Sequence, residues 1–194
     1  MKHLLLSLFL ALSFQIQASY ILIPMDAESQ KNHLKAYGIT YWTLNKQENV
    51  KWLLNYRGGS FLLPHKDAIK KECLIRGVSY ELISDSEAEA ILKEISSPSK
   101  NMDAVILEKA PKIAVYSPNG KQPWDDAVTM VLTYAEIPYE IIYDSEVLND
   151  ALLLYDWLHL HHEDFTGQYG KFYASQGSKP WYRENQKKME ELAS

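Results

Sequence analysis

Apolar residues fall along the chain in two patterns, short unbroken runs and stretches in which they return every three or four positions. The runs at Tyr20–Ile23, Trp52–Tyr56, Asp103–Leu107, Lys112–Tyr116, Ile141–Ile142 and Asp156–His161 predict strands, and their nearly continuous apolar character predicts strands covered on both faces. The spaced pattern predicts helices. One lies around Gln30–Tyr37, and another holds Ile69 and Cys73 on one face and ends at Gly77. A third carries Ile91, Leu92 and Ile95 behind a capping box made by Ser84 with Glu87 or by Ser86 with Glu89. In Trp124–Glu136 the residues Ala127, Val128, Val131, Leu132 and Ala135 follow the helical period, with Asp125 and Asp126 in the first turn, where the helix dipole favours anions. Pro180–Leu192 reads as a polar, charged helix.

The chain also repeats itself. Tyr80-Glu81-Leu82-Ile83-Ser84-Asp85-Ser86-Glu87 aligns with Tyr139-Glu140-Ile141-Ile142-Tyr143-Asp144-Ser145-Glu146, and each copy sits between similar strand and helix patterns. Both halves therefore read β-α-β-α-β. With right-handed crossovers this predicts an α/β fold with a largely parallel sheet, built from two tandem units. Turn-rich breaks at Ser97–Asn101 and at Glu108–Lys112, which contains Pro111, place the boundary near residue 110, giving units at 19–110 and 111–194. The first eighteen residues read as a signal peptide. Lys2 and His3 precede the apolar run Leu4–Phe14, and Ile16-Gln17-Ala18 offers a small residue at the cut, so the expected mature chain starts at Ser19 and is periplasmic or secreted. A span of that length falls short of the roughly 20 residues that cross a bilayer core, and no later segment is long enough.

Composition narrows the functional classes. Of 194 residues 46% are hydrophobic and 23% charged, which excludes a disordered tail. Lys and Arg number 20 against 25 Asp and Glu, a formal net charge of -5 with no long basic run, so nucleic acid is not the expected partner. A single cysteine, Cys73, excludes a disulfide scaffold and reads as a buried core thiol.

Ligands of parallel sheets bind outside the carboxyl ends of the strands, so the loops there are the candidates for chemistry. Arg57-Gly58-Gly59-Ser60 lacks the G-x-G-x-x-G spacing and reads as a turn. Ser117-Pro118-Asn119-Gly120-Lys121-Gln122-Pro123 runs straight into the helix at Trp124, and Asn119, Gly120, Lys121 and Asp125 are its candidate ligand-binding residues, either as an anion site or as a plain connection. The strongest signal is Tyr155-Asp156-Trp157-Leu158-His159-Leu160-His161-His162-Glu163-Asp164. On a strand, His159 and His161 share a face and are candidate ligands for a divalent metal. His162 and Glu163 are candidate catalytic residues for acid–base work, with Asp164 and Tyr169 as ligand contacts. Two simple buried histidines explain the same pattern. Phe165–Tyr173, rich in glycine and aromatics, reads either as a flap over a pocket or as a packed loop.

Tyr37–Trp42, Leu54–Phe61, Lys112–Asp126 and Tyr155–Tyr173 resemble a family of exported bacterial proteins, common in the Bacteroidetes group, that carries the label asparagine synthetase B. The resemblance spans nearly the whole mature chain. It implies a fold similar to class I glutamine amidotransferase-like domains, or more broadly a flavodoxin-like topology. It also implies amide or ester hydrolysis or transfer, and a longer protein in which a nucleophile follows the Pro180–Leu192 helix. The departures from a true asparagine synthetase are that Cys73 is internal and that no ATP pyrophosphatase phosphate loop is present. A small-molecule or glycan ligand is the expected partner, and a non-catalytic binding module is the alternative.

Overall fold

The computed structural model describes residues 18–117, 127–160 and 174–193. The chain divides into two compact units, Met1–Glu108 and Lys109–Ser194, each with its own sheet.

The first unit contains β1 (Tyr20–Ile23), α1 (His33–Asn45), β2 (Val50–Leu54), β3 (Ser60–Pro64), α2 (Asp67–Arg76), β4 (Glu81–Ile83), α3 (Asp85–Ile95) and β5 (Asp103–Leu107). Its sheet has the order β4-β1-β3-β2-β5, and every neighbouring pair is antiparallel. This corrects the expected largely parallel sheet of two tandem β-α-β-α-β units, and with it an amidotransferase-like or flavodoxin-like topology for the whole chain. The cause lies between β2 and β3. A parallel return needs a crossover of a dozen or more residues. Only residues 55–59 separate these strands, so the chain turns back on itself and β3 inserts between β1 and β2.

Register fixes the two faces of this sheet. Leu22 opposes Leu62 and Leu53 opposes Ser60, and this face gathers Leu22, Leu53, Leu62 and Ile83 into a buried cluster with Ala88 and Ile95 of α3. The opposite face carries Ile21, Ile23, Phe61 and Leu63, all buried, and turns toward α1 and α2. There the Phe61 ring takes Tyr37 edge-on at 5.4 Å and Trp52 stacked at 6.0 Å. Burial on both faces is why β1 and the Phe61–Leu63 stretch of β3 are continuously apolar rather than alternating.

Local signals set the ends of these elements. Ser84 closes a capping box at the start of α3: its N–H donates to Glu87 Oε2 at 2.8 Å, and the Glu87 N–H donates back to Ser84 Oγ at 3.3 Å. Gly77 ends α2 in the left-handed conformation, with its N–H and that of Val78 bonding the last carbonyls.

The second unit contains β6 (Ile113–Tyr116), α4 (Ala127–Ala135), β7 (Glu140–Ile142), α5 (Asp144–Leu148), β8 (Trp157–Leu160) and α6 (Pro180–Ala193). Its three strands are parallel, in the order β7-β6-β8. Ile113, Ala114 and Val115 of β6 are buried, with Leu132 and Ala135 of α4 and Ile142 of β7 also in the core. Helix α6 is polar and carries (i, i+4) ion pairs, Lys188 with Glu184 at 3.3 Å and Lys187 with Glu191 at 3.6 Å.

The turn from β2 to β3 is the most constrained backbone of the first unit. Asn55, Arg57, Gly58 and Gly59 all have positive φ, and a Cβ on Gly58 would sit 2.4 Å from the Met25 carbonyl oxygen. At Gly77 nothing lies within 4 Å of an added Cβ, so only the backbone conformation resists substitution. Gly77→Ala is therefore expected to cost about 1 kcal/mol, the ordinary left-handed penalty. Gly58→Ala is expected to cost clearly more, about 3 kcal/mol, because the Met25–Asp26 backbone and the β2–β3 turn must move apart to admit the methyl group. Urea unfolding of the two variants measures both.

Candidate functional site

The carboxyl ends of β6, β7 and β8 come together on one side of the second sheet. Ala114 pairs with Glu140 and Leu158, and Val115 with Ile141 and His159, so the ends carry Tyr116 and Ser117, Ile142 and Tyr143, and Leu160. The chain passes from β6 to β7 on one flank, then returns past β6 to β8 on the other. Right-handed crossovers put those two connections on opposite faces of the sheet. That reversal makes the boundary between β6 and β8 the topological switch point of the sheet, the position at which parallel sheets usually take ligands.

Hydrogen bonds hold this end in place. The Ser117 N–H donates to the Ile142 carbonyl at 3.0 Å, which continues the ladder one residue beyond β6. The Tyr116 hydroxyl donates to Asp144 at the start of α5, and the Tyr116 and Tyr143 rings lie 5.2 Å apart. The Tyr143 N–H donates to Glu146 Oε2 at 3.0 Å. That bond, together with one from the Ser145 hydroxyl, holds the Glu146 carboxyl below the ordinary range.

The pleat sorts the side chains. Ser117 falls on the face of Ile113 and Val115, and the cross-strand partners of those two residues put Trp157 and His159 on that face as well. Tyr116 points to the other face with Leu160 and Ile142. Ser117 is fully buried, and its hydroxyl has no hydrogen-bond partner among the described residues.

The opposite, amino end of this sheet is closed by charge. Asp156 accepts from Lys109 Nζ at 2.7 Å and from the Lys112 N–H at 2.8 Å, and these two bonds, in that order, lower its carboxyl pKa. The Tyr155 hydroxyl donates to Glu140 at 2.6 Å. The Lys109 ammonium is thereby held at the amino end, where Lys112 contributes its backbone N–H.

Of the residues singled out by sequence, His159 is placed on β8 opposite Val115. His161, His162, Glu163, Asp164, Tyr169, Asn119, Gly120, Lys121 and Asp125 lie outside the described residues. Among the described residues no group of three or more His, Cys, Asp or Glu side chains is arranged to hold a metal ion. Cys73 is completely buried and burial pushes its thiol up to about 12, so it is no nucleophile at neutral pH.

The residue that sequence reasoning missed is Arg57. Its Nε donates to Asp26 at 3.1 Å, its two terminal nitrogens grip Glu81 at 3.0 and 2.9 Å, and Nη2 also reaches Ser29 at 2.9 Å. The Met25 N–H donates to the Arg57 carbonyl at 3.0 Å, and His33 Nε2 bonds the Met25 carbonyl at 3.0 Å. One side chain thus ties the loop after β1, the β2–β3 turn and the start of β4. The only sequence signal was the lone arginine inside an Asn55–Gly59 turn. Its donors are taken up by carboxylates and a hydroxyl, so the cluster acts as a lock on the fold.

No known protein family, curated protein or solved structure matches this chain.

The carboxylates give a pH signature. Hydrogen bonds from Ser29 and then from Arg57 lower the Asp26 pKa, and the Ser84 cap lowers that of Glu87. A depressed carboxyl contributes stability that is complete above its unfolded value and is lost as pH falls through its folded value. Thermal melts are therefore expected to drop as pH is lowered below about 4.5, the ordinary glutamate value. In Arg57→Ala the melting temperature at neutral pH should be lower and the acid drop shallower, because Asp26 loses its cationic partner.

Proposed function

We propose that the second unit binds a small molecule or glycan at the carboxyl ends of β6 and β8 and acts there as a hydrolase or transferase on an amide or ester bond. The observation that carries this reading is the strand order β7-β6-β8, whose reversal puts the topological switch point of the sheet between the carboxyl ends of β6 and β8. The chain following β8 supplies His161, His162, Glu163 and Asp164 in direct succession, so imidazole and carboxylate groups follow in sequence the strand that borders the switch point. In this reading His162 accepts a proton from the attacking group and Glu163 steadies the charged imidazole, while Asp164 and Tyr169 contact the ligand. The amide and ester class comes from the resemblance to the exported family labelled asparagine synthetase B. The predicted leader, residues 1–18, supports export, and its removal would leave Ser19 immediately before β1.

The test uses the full mature chain against a panel of p-nitrophenyl esters and p-nitroanilides. The expected result is turnover that falls by about 100-fold or more in His162→Ala, the scale of general acid–base catalysis. Ligand binding that persists in His162→Ala and is lost in Tyr169→Ala, with no turnover in either, would contradict catalysis and leave a binding module. A rise in melting temperature with zinc or manganese that disappears in His159→Ala and His161→Ala would instead assign the histidines to a metal.

A further inference from the structure

We infer that the outer face of α2, with the neighbouring α1, is a docking surface for an anionic phospholipid membrane, on which the first unit lies without crossing it. Two observations carry this: where the charge of the chain sits, and which side chains α2 leaves uncovered.

The charge is segregated. The chain as a whole carries -5, yet segments Lys31–Lys46 and Lys66–Arg76, which contain α1, α2 and the residues that flank them, hold seven of the 20 Lys and Arg and only two of the 25 Asp and Glu. That is a local charge of +5, so the remainder of the chain sums to -10. The two helices pack against each other over one face of the sheet, which gathers this charge on one side of the first unit. Part of it is used within the fold: Lys66 pairs with Glu48, and Arg76 with Glu72 at 3.0 Å. Lys70 and Lys71 have no ion pair among the described residues, and the other acid of the two segments, Asp67, lies one turn before them.

The uncovered side chains follow from the helical period. Ile69 and Cys73 turn inward and are buried, which places Lys70, Lys71, Leu74 and Ile75 on the outer face, each lysine one turn before an aliphatic residue. Leu74 is 65% and Ile75 66% exposed, so two large aliphatic side chains stand side by side in water with ammonium groups one turn behind them. Helix α1 adds Leu34 and Tyr37, three positions apart and both exposed. Single exposed leucines are ordinary, but paired aliphatics beside unpaired lysines on one helix face are the pattern of a helix lying in a membrane interface. The aliphatic groups enter the acyl boundary, the lysine stems run alongside, and the ammonium groups meet phosphate oxygens. At ten residues α2 is far too short to span the bilayer core, so it lies along the surface. A nucleic acid would satisfy the lysines and leave Leu74 and Ile75 in water, and the one guanidinium of α2 is already held by Glu72. A second copy meeting this face through its own would set Lys70 and Lys71 against their equivalents.

The test measures binding of the full chain to sucrose-loaded vesicles by sedimentation, comparing phosphatidylcholine alone with phosphatidylcholine containing about 30% phosphatidylglycerol. Because the apolar run Leu4–Phe14 has membrane affinity of its own, every variant is compared within the same full chain. The unsubstituted protein should prefer the anionic vesicles by about tenfold or more, with a preference that fades in high salt. Lys70→Gln/Lys71→Gln should remove most of that preference, and Leu74→Ser/Ile75→Ser should weaken binding to the anionic vesicles by about tenfold. Neither pair belongs to the core, so melting temperatures should be unchanged. Amide hydrogen exchange on the unsubstituted protein gives a second readout that needs no variant, and anionic vesicles should slow it in Asp67–Arg76. Equal binding to both kinds of vesicle, binding unaltered in both double variants, or exchange slowed only outside α1 and α2 would overturn the inference. Retention of a mixed-sequence DNA duplex in place of vesicles, lost in Lys70→Gln/Lys71→Gln alone, would overturn it in favour of nucleic acid. A dimer in light scattering that Leu74→Ser/Ile75→Ser dissociates, with no vesicle bound, would overturn it in favour of a second copy.

Discussion

The second unit depends on the two-sided pairing of β6. This strand bonds β7 on one edge and β8 on the other, so every strand contact of the three-stranded sheet passes through Ile113–Tyr116. Both neighbours run parallel to it, which brings three carboxyl ends to one side. The side chains at that end then follow from the pleat: Tyr116 on one face, bonded to Asp144, and Ser117 on the other, buried and unmatched. The amino end is closed by the ion pair of Lys109 with Asp156.

The first unit solves a different problem with similar pieces. Its short β2–β3 turn forces antiparallel pairing, and the cost of four positive φ values in that turn is offset by the Arg57 lock. Arg57 holds the turn against Asp26 and Glu81, which belong to separate segments, so the strain of the turn and the position of β4 are coupled. A lysine would not replace it, because a single ammonium lacks the planar fork that engages Glu81 through two nitrogens and Asp26 through a third.

Much of the local structure was legible in the sequence, and the reasons are local. The runs Tyr20–Ile23 and Asp103–Leu107 are strands with those bounds, and Ser84 with Glu87 caps α3 through a four-residue signal. The repeat Tyr80–Glu87 and Tyr139–Glu146 encodes the same step twice: a short strand, a backbone N–H bonded by a glutamate three residues on, and a helix. What the repeat does not encode is which strand lies alongside. β4 pairs antiparallel with β1, whereas β7 pairs parallel with β6, because pairing is decided by connection length and by burial across the sheet. Sequence periodicity carries neither. The same limit hid Arg57, whose partners lie 31 and 24 positions away, and Ser117, whose interest lies in a bond that is missing. For the histidine cluster, His159 is placed on β8, and the residues that follow it carry the proposal on sequence alone.

The central claim is that ligand chemistry belongs to the carboxyl end of the β7-β6-β8 sheet. It is tested most directly by photolabelling the full chain with a diazirine-bearing alkyl carboxamide and mapping the adducts by peptide mass spectrometry. The account predicts adducts on Tyr116, Ser117 and the residues immediately after Leu160. Adducts concentrated at the amino end of the same sheet, on Lys109–Lys112 and Tyr155–Asp156, would contradict it.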